Sequence, residues 1–103
     1  MPEFVNPFSG MVPKKMTKSE LIRAIRLNLA AEEEAVHMYE AIADASDNSL
    51  AVKVLQDIAD EERVHAGEFQ QLLRILLPEE ERLLQQGSEE VKELAGEEKE
   101  QKE

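Results

Sequence analysis

The chain has 103 residues, enough for a single domain, and carries 23 acidic against 12 basic side chains for a formal net charge of -11. That charge makes nucleic acid and anionic membrane surfaces poor partners and cations better ones, although acidity also serves simply to keep a protein dispersed. With no cysteine, disulfides, thiolate metal sites and thiol catalysis are excluded and any metal must be held by oxygen and imidazole nitrogen, while four Gly, four Pro and few aromatics predict an all-α fold.

Residues 1–16 hold Pro2, Pro7 and Pro13 with no hydrophobic period and read as a flexible N-terminal arm, with Phe4, Val5 and Phe8 as candidate docking residues. The stretch MPEFVNPFSGMVPKK lacks the apolar run of a signal peptide, and no segment approaches the ~20 apolar residues of a membrane span, so the expected location is cytoplasmic. Thr17 followed three residues later by Glu20 is a capping box, and an apolar period begins at once. A first helix is therefore predicted from that box to about Ala45. The polar cluster Ser46-Asp47-Asn48-Ser49 supplies turn and N-cap chemistry for a second helix over about Leu50 to Leu77. Pro78 and the acidic residues after it open a short third helix that Gly87 is expected to end. The hairpin domain is then 17–87, and the charged tail 88–103 reads as a solvated linker ending in disorder.

Alternating steps of three and four along the first helix give Ile22, Ile25, Leu29, Glu32, Val36, Tyr39 and Ala43. The second helix gives Leu55, Ile58, Glu62, His65, Phe69, Leu72 and Leu76. Each stripe is the seam a helix turns toward its neighbours, and each is interrupted by groups that are costly to desolvate without a partner or a metal. In an antiparallel hairpin centred on Asp47, Glu32 and Glu62 are both fifteen residues from the turn, about 22 Å at ~1.5 Å per residue. His65 lies one helical turn from Glu62 on the same face. Three residues able to bind a hard or borderline cation are thus predicted to converge. A metal-free ion pair between His65 and the two carboxylates is the structural alternative.

Di-iron carboxylate bundles draw one Glu from each of two helices and a Glu-x-x-His from each of two more. This chain encodes half of that set, and a two-fold pair of hairpins would supply four helices, four carboxylates and two imidazoles. Redox enzymes of the rubrerythrin or manganese-catalase kind normally encode all four helices in one chain.

The segments AAEEEAVHMYEAIADAS and DIADEERVHAGEF, within about Ser19 to Leu77, resemble the encapsulated ferritins, the ferritin-like cargo of encapsulin shells. The resemblance implies that Glu32, Glu62 and His65 are iron ligands and the catalytic groups of a ferroxidase, with Tyr39 near the metals. It implies a homodimer within a larger ring such as a decamer, an encapsulin shell protein as partner, Fe(II) and dioxygen as reactants, and residence inside an encapsulin nanocompartment. Family members also carry acidic residues either side of the ligand glutamate that form an outer site through which metal enters. Glu34 matches the later one, whereas Ala31 stands at the earlier. The aromatic before the tyrosine is replaced by Met38, with His37 expected to face solvent. The family's short apolar targeting peptide is not found in the tail, which would instead suit a tether to a fused shell.

Other readings of the same residues stay open. Zn, Mn or Ca could occupy the site and join a dimer without redox chemistry, or the hairpin could be a metal-free adaptor that docks on a partner.

Overall fold

The computed structural model describes residues 15–102, with side chains described through residue 98. The N-terminal arm expected over 1–16 falls mostly outside them. Three helices follow in order, α1 (Lys18–Ala45), α2 (Ser49–Leu76) and α3 (Pro78–Lys102), and no strand is found among the described residues. None of the described helices is long and apolar enough to cross a membrane.

The ends of α1 and α2 are set by local chemistry. The Thr17 hydroxyl accepts from the Glu20 amide at 3.2 Å and the Thr17 amide donates to Glu20 Oε1 at 3.0 Å, the reciprocal pair that satisfies two otherwise orphaned donors. At the turn, the Ser46 amide donates to the Ala43 carbonyl at 3.2 Å and closes α1. The Asn48 amide donates to Ser46 Oγ at 3.1 Å, and Asn48 Oδ1 accepts from the Ala51 amide at 2.9 Å as the N-cap of α2. With only residues 46–48 between them, the two helices must run antiparallel. α2 stops before Pro78, whose ring excludes a helical conformation at Leu77.

The chain divides into two compact units, one ending at Leu73 and the other beginning at Arg74. In the first, Ile22, Ile25 and Ala43 of α1 and Ala59 and Ala66 of α2 form the buried core. On α1 these belong to the stripe read from the sequence. On α2 the buried residues are each one step past that stripe, and Ala59 is fully enclosed. The larger Leu55, Ile58, Glu62 and Phe69 are only half-buried, and His65 is exposed. The reason is size: alanines let the backbones approach, and α2 turns its small side toward α1. Its bulky seam residues are left along one edge of the hairpin. No described polar or charged residue is buried.

The tail departs from expectation. α3 is not a short helix stopped by Gly87 but runs 25 residues to Lys102, through the segment expected to be a linker. Solvation is as expected, since residues 82–98 are all exposed. Gly87 takes the ordinary helical backbone instead of the left-handed cap, and a Glu-, Gln-, Lys- and Leu-rich sequence has enough intrinsic propensity to absorb its cost of roughly 1 kcal/mol. Side-chain pairs along the helix add to this: Gln85 donates to Glu89 Oε1 at 3.0 Å, and Lys92 Nζ reaches the same oxygen at 3.3 Å. Arg74 Nε pairs with Glu81 at 3.2 Å within the same unit, next to the acidic first turn Glu79, Glu80 and Glu81 that suits the positive end of the helix dipole.

Two outcomes follow for stability. Thr17→Ala removes the capping box and should lower stability by about 1 kcal/mol, read as a fall of several degrees in melting temperature. Gly87→Ala meets no atom within 4 Å and should increase far-ultraviolet helicity and slow amide exchange along α3.

Candidate metal centre

Glu32 on α1 and Glu62 and His65 on α2 come together at mid-length of the hairpin, with one ligand atom from each lying within 4.8 Å of the others. It is the one such group of three or more potential ligands among the described residues. His65 Nδ1 stands 3.5 Å from Glu32 Oε1 and 3.5 Å from Glu62 Oε2, longer than a well-formed N–H···O bond. The imidazole therefore faces both carboxylates without being committed to either. The two Glu side chains are about one-fifth exposed and His65 is half-exposed, so the cluster is walled by the helices on one side and open on the other.

Each position follows from the helical period. Glu62 and His65 are i and i+3, one above the other, and Glu32 sits opposite them because the short turn fixes the pairing of the antiparallel helices. Two carboxylates at this separation repel while both are charged, which a divalent cation would turn into attraction. The donors are oxygen and imidazole nitrogen only. That is a set for hard and borderline cations, and three donors fill only half the positions of a six-coordinate ion.

The other residues singled out by sequence lie nearby but apart. Tyr39 is half-buried on the same stripe of α1, two turns or about 10 Å along the axis from Glu32. Glu34 is half-buried, and at two residues from Glu32 it projects from a different side of α1; Ala31 is exposed. His37 is exposed, as expected, and lines an open pocket with Glu40, Asp44 and Gln56.

Sequence reading missed one feature. Arg63 Nη2 donates to Glu40 Oε2 across the hairpin at 2.8 Å, and its Nη1 donates to Asp60 Oδ1 on its own helix at 2.9 Å. The hydrogen bond that Arg63 donates to Glu40, followed by the charge of Glu40 and then by Asp60, raises the guanidinium pKa above its already high ordinary value. Only the i,i+3 spacing of Asp60 and Arg63 hinted at it. Glu40 is 23 residues away, and nothing in its sequence neighbourhood marks it among so many acidic side chains.

Comparison with known proteins identifies the family and the fold. The family model described as Rubrerythrin matches residues 13–102. An encapsulin nanocompartment cargo protein, EncC, of Myxococcus xanthus is 51% identical over 79 residues, covering 77% of this chain and 60% of that protein. A ferritin-like-encapsulin shell fusion protein of Pyrococcus furiosus is 44% identical over 92 residues, covering 89% of this chain and 27% of the fusion. This chain thus spans about three-fifths of one relative and just over a quarter of the other. The crystal structure of the encapsulated ferritin domain from Pyrococcus furiosus superposes with a TM-score of 0.81 at 42% identity, over 92% of this chain and 97% of that one. By the family model and by these relatives, the chain belongs to the rubrerythrin family and, within it, to the encapsulated ferritins.

Proposed function

We propose that this protein is a ferroxidase whose di-iron site is completed when two copies pair through Glu32, Glu62 and His65. The observation that carries the reading is the convergence of those three ligand atoms within 4.8 Å at an edge where His65 remains half-exposed. A second copy related by a two-fold axis would bring the same three groups to that open side and raise the set to four carboxylates and two imidazoles. The apolar surface around the cluster supports the same pairing. Ile42 on α1, and Val54 and Leu72 on α2, are large, exposed and, by the helical period, on the ligand side of their helices.

On this reading Fe(II) is the substrate. Glu32 and Glu62 would bridge or chelate the two irons, and their hard anionic oxygens favour Fe(III) over Fe(II); neutral imidazole would hold Fe(II) before oxidation. Each Fe(II) gives up one electron, and dioxygen takes both with two protons from solvent to leave as hydrogen peroxide. No general base is required. Other hard or borderline divalent ions, Zn, Mn or Ca, fit the same donors and would serve as substitutes.

The names of the relatives, one an encapsulin cargo and the other a fusion to an encapsulin shell, support a place for this chain inside an encapsulin nanocompartment. A hairpin of this size cannot enclose a mineral itself, so oxidation and storage would be divided between the domain and its shell. The net charge of -11 would concentrate Fe(II) near the site by an attraction that salt weakens. Tyr39, and an outer site at Glu34 through which metal enters, remain part of this proposal.

Glu32→Ala, Glu62→Ala and His65→Ala should each lower the rate of Fe(II) oxidation by roughly 10²-fold or more, because each change removes two ligands from a paired site. The melting temperature of the metal-free protein should hold or rise for the two Glu variants, since a clustered carboxylate is lost. Fe(II) oxidation at the parent rate in all three would reject the site.

Adding Zn(II) should shift the protein toward dimers at a concentration where it is otherwise monomeric, since a ligand that binds only the pair stabilises it by mass action. Light scattering across protein concentration reads this. A fully active protein that stays monomeric would exclude the shared centre.

A further inference from the structure

The three ligands and the Arg63–Glu40 pair lie on opposite edges of the hairpin, with the core contact line between them. On α2, Arg63 is about 100° around the helix from Glu62, and Ala59 and Ala66 fall between the two directions. On α1, Glu40 is about 80° from Glu32, and Val36 and Ala43 fall between. The line of contact at this level is thus made largely of alanines, which let the helices approach but offer no long knobs to stop one from rolling on the other. Along the far edge the space between the helices is an open groove, lined by Glu33, Val36, Ala66 and Gly67 beside Arg63, and a Cβ added at Gly67 would meet nothing within 4 Å. Arg63, which lines this groove, donates to Glu40 of the other helix at 2.8 Å.

On the near edge, Glu32 and Glu62 repel each other in the metal-free protein, which tends to part the helices on that side or to roll α2 away. We infer that Arg63 is a positioning residue: its ion pair with Glu40 straps the far edge and fixes the roll of α2 on α1, so that Glu62 and His65 face Glu32 before metal arrives. The inference rests on the proposed metal centre. Arg63 touches neither metal nor ligand, and it acts through the orientation of the helix that carries two of the three. Arg63 also donates to Asp60 on its own helix, but the contact that crosses between the helices is the one to Glu40.

The test uses the full chain and zinc. Calorimetric Zn(II) affinity and the visible spectrum of the Co(II) form are measured for the parent, Arg63→Gln, Glu40→Gln, Asp60→Asn and the exchanged pair Glu40→Arg with Arg63→Glu, beside their melting temperatures. Arg63→Gln and Glu40→Gln should bind zinc on the order of tenfold more weakly, the low end for groups that orient ligands, and give an altered Co(II) spectrum. Their melting temperatures should change by only a few degrees, as is usual for an exposed ion pair. The exchanged pair should recover most of the affinity, and Asp60→Asn should retain it. If the parent binds zinc, but Arg63→Gln and Glu40→Gln bind it as tightly and with the same Co(II) spectrum, the strap is rejected and the metal centre stands. Loss of affinity that the exchanged pair does not recover likewise rejects it. If the parent binds no zinc, the metal centre fails and the strap falls with it.

Discussion

Two carboxylates and an imidazole sit at the same level of a two-helix hairpin, in stripes otherwise made of Ile, Leu, Val, Ala, Phe and Tyr. Carboxylates in that position lose hydration and repel one another, and a hairpin has too few walls to compensate either loss with buried hydrogen bonds. The arrangement is tolerable because the cluster lies at an edge, with His65 reaching solvent and its Nδ1 shared between both acids. Much of the rest follows from holding these groups there. α2 presents small alanines to α1 so that the helices approach closely, and its bulky seam is left outward beside the acids.

That choice leaves the hairpin unfinished as a folding unit. Its enclosed core is two isoleucines and three alanines, while leucine, valine, isoleucine and methionine side chains stay exposed along its helices. A small core of this kind stabilises little by itself, and large exposed apolar surfaces are where chains associate. On the proposed reading the same contact would satisfy both deficits, covering the apolar edge and bringing the missing ligands. Metal binding and assembly would then be one equilibrium, in which each stabilises the other.

The strong negative charge fits this economy. Acidic side chains line α3 and the outer faces of α1 and α2, where they cost little because they remain hydrated. Arg63 is one of few cations set among them, and its bond to Glu40 joins residues of different helices where alanine packing provides little grip. α3 contributes no buried residue, and its helical state comes from propensity and local side-chain pairs.

The sequence by itself determined the first two helices, the turn and the membership of the cluster. Thr17 with Glu20 marked the start of α1, Asn48 lay in the polar turn, and Pro78 forced the end of α2, since capping and proline effects act over a few residues and need no distant partner. The level of Glu32, Glu62 and His65 was also legible, because a short turn converts sequence distance into axial distance at a fixed rise per residue. Gly87 misled, as a glycine is a stop only if the residues after it gain nothing by continuing the helix. Only the tertiary structure decided which side of α2 meets α1, because Ala59 and Ala66 flank a more apolar stripe and periodicity favours the larger residues. It also decided the partner of Arg63, a contact between residues 23 apart on a charged surface, where many pairings are nearly equal in energy and the relative roll of two packed helices selects one.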